Sequence, residues 1–210
     1  MSEHTDALAH QFNNLTQQEE AYTLGMWLFL CTEILLFGGL FLGYAVYRSL
    51  YPEAWAAGSH HNDLVLGSIN TGVLLVSSLT MALAVHAAEE EQWSIVTGFL
   101  TATLVLGALF LGIKFYEYYV HYEHHLVPGI RFNPEGGPAP NMELFMFFYF
   151  VMTGLHALHM LIGLGVVSTI AILAWRRRLS FHMPVEITGL YWHLVDIVWV
   201  FLFPLLYLIG

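Results

Sequence analysis

Five apolar stretches dominate the chain, Leu24–Tyr47, Leu64–Ala88, Trp93–Tyr118, Leu144–Trp175 and Val185–Ile209, and each is long enough to cross a bilayer. A spanning helix needs about 20 mostly apolar residues. Backbone N–H and C=O groups find no water in hydrocarbon, so such a segment satisfies them within itself by coiling into a helix. The pattern therefore predicts an all-α integral membrane bundle of five transmembrane helices over residues 24–210. Hydrophobic residues make up 57% of the chain and charged residues 10%, a balance that excludes an ordinary soluble domain. Residues 1–23 carry acids and amides in place of the basic and then apolar order of a signal peptide, and are expected to form a soluble cytoplasmic tail.

Direction follows from Lys and Arg close to the helix ends. Arg176, Arg177 and Arg178 lie between the fourth and fifth stretches, on the side of the N-terminus, against Arg48 and Arg131 on the other side. The N-terminus is expected inside and the C-terminus outside. With a formal net charge of −10 and six basic residues, the chain has no basic surface for nucleic acid. Its one cysteine, Cys31, builds neither a disulfide nor a thiolate metal site and is expected as a small core residue. Gly67, Gly107 and Gly163 are among several glycines that let helices approach closely. Residues Tyr119–Met142, rich in Pro and Gly, are expected to form an irregular outer loop.

Ionisable side chains within hydrocarbon are costly and therefore informative. Glu33 stands alone near the middle of the first stretch. Lys114 and Glu117, three residues apart, can neutralise each other as a structural pair. His156 and His159 are expected to share one face of the fourth stretch, His193 and Asp196 one face of the fifth. At about 1.5 Å per residue, Glu33, His159 and His193 reach comparable depths and can meet as an interior cluster. Separate hydrogen bonds between packed helices are the favoured reading of that cluster, with a metal site or proton relay as the alternative. On the outer side, His60, His61, His121, His124 and His125 gather in two loops, and HYEHH has the H-x-x-H-H spacing of membrane di-iron hydroxylases and desaturases. Solvated loop histidines are favoured over a di-iron oxygenase, because a single such box is present. The membrane histidines are too few for a haem-copper centre.

The same stretches, in order, resemble subunit III of the haem-copper respiratory oxidases from about Gly25 onward. GMWLFLCTEILLFGGLF is similar to the family's first motif and places its buried glutamate on Glu33. NTGVLLVSSLT, with Asn70, Thr71 and Ser78, precedes His86, and the third stretch ends in Glu117–Tyr118, like the family's E-Y or E-W ending. TGLHALHMLIG matches the T-G-x-H-x-x-H-V-x-x-G signature through His156 and His159. ITGLYWHLVDIVWVFLF is close to Y-W-H-F-V-D-x-V-W-x-F-L-F and carries His193 and Asp196. Two positions depart from the pattern: Lys114 replaces a neutral residue and Met160 replaces valine.

The resemblance is to the five-helix bacterial form and implies a non-catalytic subunit of the bacterial inner (cytoplasmic) membrane. Such a subunit packs against the catalytic subunit I and other oxidase subunits, retains phospholipid, and supports assembly and proton uptake. Haem and copper are then expected in partner subunits, with no catalytic residue, metal or redox cofactor in this chain. Glu33, His159, His193 and the arginines Arg176, Arg177 and Arg178 become the lipid- or proton-related residues. Asn70, His86, Glu117, His156 and Asp196 become polar packing residues. An accessory subunit of a nitric oxide reductase, which has the fourth and fifth signatures, is the related alternative.

Overall fold

The computed structural model describes residues 11–129, 132–133, 140–179 and 182–209. Among them the chain forms α1 (Leu15–Leu50), α2 (Pro52–Ser59), α3 (Leu64–Glu89), α4 (Trp93–Glu123), α5 (Met142–Trp175) and α6 (Met183–Tyr207). All but α2 are long and apolar enough to cross a membrane. No strand occurs among the described residues.

Capping chemistry moves several boundaries away from the hydropathy edges. Asn14 Oδ1 accepts from the Gln17 N–H at 2.7 Å, starting α1 nine residues before the apolar stretch and drawing Leu15–Thr23 out of the expected tail. The 36 residues of α1 span about 54 Å, well beyond a hydrocarbon core of about 30 Å, so the helix projects from the bundle. Asp63 Oδ1 caps α3 through the N–H groups of Val65 and Leu66. Pro52 opens α2, a short helix that apolar length did not indicate, because it lies along the end of the bundle and crosses nothing. α4 continues through Tyr119–Glu123, where helix propensity and inward contacts outweigh falling hydropathy, so the expected loop begins later. Arg131, Pro134, Gly136, Gly137 and Pro138 of that loop lie outside the described residues, as do Ser180 and residues 1–10.

Short turns make α3 and α4 antiparallel neighbours, and α4, α5 and α6 complete a four-helix core with α3. α1 lies on its edge, parallel to α6. Phe29 meets Tyr191, Phe41 meets Phe201, and the Tyr44 hydroxyl donates to the Leu205 carbonyl, a constant register along both helices. Large aromatics fill the centre, Trp192, Trp199, Tyr149 and Phe110 being fully buried, and Trp55 of α2 is buried at the end of the bundle. Trp192 fits because Gly107 and Gly163 face it: a Cβ on Gly107 would stand 2.9 Å from Trp192 and Leu164. Cys31 is exposed on the outer side of α1, contrary to its expected core position, because α1 turns most of its surface away from the bundle.

Candidate functional site

Glu33 on α1 and His159 on α5 form a direct pair, Oε2 to Nε2 at 2.9 Å, with each side chain only 12–14% exposed. His159 Nδ1 faces the Leu155 carbonyl at 2.8 Å; a carbonyl only accepts, so Nδ1 carries a hydrogen. Nε2 then either accepts the proton of a neutral carboxyl or donates one to a carboxylate. One proton thus sits between the two side chains. The edge of Phe37 packs on the imidazole at 5.4 Å, and the Tyr191 hydroxyl donates to the His159 carbonyl at 3.1 Å. The pair therefore ties α1, α5 and α6 together part-way through the membrane.

His193 does not join this pair. Its Nδ1 lies 2.8 Å from Ser78 Oγ on α3. On α6, Tyr191 faces His159, and two residues further on the helix has turned about 200°, which points His193 to the opposite flank. The Asp196 oxygen is 3.9 Å from His193 Nδ1, beyond hydrogen-bond length, and neither Asp196 oxygen has a partner among the described residues. His156 also parts from His159. It packs edge-on against Phe110 at 5.6 Å and tilted against Trp199 at 5.1 Å, its two nitrogens without a hydrogen-bond partner among the described residues. Asn70 is buried with its amide likewise unpartnered there. His86 is 67% exposed beside Glu89 and Glu90, so it is a surface residue of the last turn of α3 and not a packing residue.

Towards the other end, Glu117 lies in a closed polar cage. Lys114 Nζ meets Glu117 Oε2 at 3.0 Å, Tyr149 Oη at 3.1 Å and Tyr207 Oη at 2.9 Å, which uses all three ammonium donors. Both tyrosine hydroxyls donate in turn to Glu117 Oε1, at 2.7 and 2.5 Å. The rings of Tyr118, Tyr149, Trp199 and Tyr207 surround the ammonium at 5.0–5.5 Å.

One turn beyond, His121 is buried, not a solvated loop residue. Its Nδ1 lies 2.8 Å from the Glu117 carbonyl and its Nε2 3.1 Å from Asn62 Oδ1, while Asn62 Nδ2 donates to the Leu206 carbonyl at 2.9 Å. His60, His61, His124 and His125 stay exposed. The H-x-x-H-H string is thus split between inside and outside, and among the described residues no three His, Cys, Asp or Glu side chains converge to hold a metal. Sequence reading missed His121 and Asn62. The signal was there in the helical spacing Lys114, Glu117, His121, which puts the three on one face once α4 is allowed to continue.

Arg176, Arg177 and Arg178 are exposed at the end of α5. Arg177, with a left-handed φ of 51°, lines the mouth of a groove between α4 and α5 that holds about 300 Å³ among Trp93, Ser94, Thr97 and Trp175. The groove continues for about 450 Å³ past Thr101, Leu104 and Ser168. Arg176 and Arg178 do not line it.

The family model for cytochrome c oxidase subunit III matches residues 5–125 and 141–210. A protein of Staphylococcus epidermidis named "Probable quinol oxidase subunit 3" is 32% identical over 207 residues, 96% of each chain. "Cytochrome c oxidase subunit 3" of Synechocystis is 31% identical over 220 residues, covering 98% of this chain and 87% of the relative. The protein of the same name from Thermostichus vulcanus is 32% identical over 192 residues, covering 89% and 86%.

Proposed function

The chain belongs to the cytochrome c oxidase subunit III family, and on that footing we propose that it serves a haem-copper terminal oxidase as its non-catalytic third subunit. It is a multi-pass membrane protein and part of a respiratory oxidase complex. The carrying observation is the near full-length family match, which includes every helix of the bundle. In this reading the chain packs against the catalytic subunit I in a bacterial inner membrane, N-terminus inside, and carries no redox centre of its own. What supports the last point is how the membrane histidines are engaged. His159 is held by Glu33, His193 by Ser78 and His121 by Asn62, His156 packs against Phe110 and Trp199, and no three possible ligands converge among the described residues. Haem and copper then belong to partner subunits. Neither the split histidine string nor the named relatives supports a di-iron oxygenase or a nitric oxide reductase accessory subunit.

Two features of the bundle fit the supporting role. The Glu33–His159 pair fixes the loosely packed α1 against α5 and α6. The groove under Arg177 suits a phospholipid, with its phosphate at the guanidinium and an acyl chain between α4 and α5.

Purification of the tagged chain in mild detergent, followed by mass spectrometry of its partners and a visible spectrum, tests the proposal. Co-purification with a haem-bearing subunit is expected. Stoichiometric iron in the isolated chain, without a haem partner, would reject it.

A further inference from the structure

A line of four polar groups crosses the end of the bundle remote from the arginine triplet: the Glu117 carbonyl, His121, Asn62 and the Leu206 carbonyl, spaced at 2.8, 3.1 and 2.9 Å. His121 and Asn62 are 2% and 7% exposed. The line links α4, the connection between α2 and α3, and the last turn of α6, whose carbonyls have no partner within the helix. The neighbouring Leu205 carbonyl is taken by Tyr44 of α1, so four parts of the chain meet there.

A neutral imidazole does not supply enough donors for this line. Both of its ends are carbonyls, which only accept. The Asn62 amide presents Nδ2 to the Leu206 carbonyl and Oδ1 to His121 Nε2. His121 must then donate from Nδ1 to Glu117 and from Nε2 to Asn62, which only the imidazolium can do. Turning the amide over does not remove the conflict: Nδ2 then serves a neutral Nε2, but Oδ1 faces the Leu206 carbonyl. Every arrangement with a neutral ring sets two lone pairs against each other at one of the three contacts.

Few charged or titratable groups face the ring among the described residues. Lys114 and Glu117 lie on its own helix and pair with each other, with Tyr118 beside them. Tyr149 of α5 sets its ring 5.1 Å away, Tyr207 of α6 donates to Glu117, and the exposed His61 stands next to Asn62 in the α2–α3 connection. Burial makes a cation costly and no unpaired carboxylate holds the extra proton in place, so its occupancy follows pH.

We propose that His121 is a proton-binding latch: with the proton bound, all three contacts of the line are hydrogen bonds and this end of the bundle is closed; with the proton lost, one contact opens. The latch depends neither on the identity of the partner subunits nor on which side of the membrane this end faces.

Hydrogen–deuterium exchange of the complex containing this chain, compared for wild type and Asn62→Leu between pH 6 and 8.5 and corrected for intrinsic exchange rates, tests it at residues 59–65 and 203–209. An acceptor at Nε2 favours the imidazolium in the closed state and has no effect in the open one. The protection advantage of wild type over the variant is therefore present in acid and lost as pH rises through the pKa of the closed His121. The ratio of wild-type to variant protection is expected to be about tenfold larger at pH 6 than at pH 8.5, the factor that separates a hydrogen bond to a charged group from a neutral one. In a His121→Gln background the same substitution should show no pH dependence. Asn62→Ala serves in the same way if Asn62→Leu fails to assemble. A ratio that is flat in pH overturns the proposal. So does one that grows towards alkaline pH, which would mark a neutral His121 accepting from an inverted Asn62 amide.

Discussion

Lys114 and Glu117 meet at 3.0 Å one turn apart on α4, each side chain at most 4% exposed, and two tyrosines from α5 and α6 close the pair. Breaking a buried pair from one side leaves an uncompensated charge and costs about 3–5 kcal/mol, whereas replacing both partners by apolar groups is often neutral. Lys114→Met alone is therefore expected to destabilise the complex by several kcal/mol, and Lys114→Met with Glu117→Leu to recover much of that loss. Thermal unfolding of the purified single and double variants measures the difference; a double variant worse than the single one would count against the pair as the source of the penalty.

Glu33→Gln keeps the size of the side chain and a hydrogen bond to His159 Nε2, whereas Glu33→Ala removes the tie between α1 and α5. The Gln variant is expected to assemble with full haem content and normal oxygen consumption between pH 6 and 9. The Ala variant should associate more weakly with its partners, since an unmade bond at a buried group costs about 1–3 kcal/mol. A fully assembled Gln complex with markedly slower turnover would give Glu33 a proton-handling role, because an amide exchanges no proton.

His121→Ala should destabilise the complex by about 1–3 kcal/mol by unpairing Asn62. His124→Ala and His125→Ala, at exposed positions, should change stability by less than about 0.5 kcal/mol. Replacing all three should therefore cost what His121→Ala costs alone. A triple variant with normal stability but no oxygen consumption would reinstate a metal role for the string.

Gly107→Ala places a methyl group 2.9 Å from Trp192 and Leu164, an overpacking expected to cost about 1–3 kcal/mol. Gly98, with open space at its Cβ position on the same helix, provides the contrast: Gly98→Ala should be neutral or stabilising by up to about 1 kcal/mol. Melting temperatures of the two purified variants read out the contrast.

The arginine triplet predicts that the N-terminus and the α5–α6 connection share the cytoplasmic side. Paired reporters fused at the C-terminus and in α2 at Gly58 are expected to be active only as periplasmic reporters. Activity of the cytoplasmic reporter at the C-terminus would reverse the orientation.

The number of spans and the helical class were legible in the sequence, because hydropathy over about 20 residues is a local property that lipid imposes on each segment separately. The ordered motifs around Glu33, His156, His159 and His193 likewise identified the family without any contact being known. Partnership among those same residues was settled only by the tertiary structure. His159 and His156 differ by three positions and His193 and Tyr191 by two, yet the direction of each side chain depends on where α1, α3 and α4 lie around α5 and α6. The inward turn of His121 needed α4 to outlast its apolar stretch, and the helix does so because Asn62 and the Leu206 carbonyl, 59 and 144 residues apart from their partners in sequence, wait beside it. Hydropathy reports transfer from water to lipid one residue at a time, whereas a hydrogen bond between helices exists only after packing has brought both ends within about 3 Å.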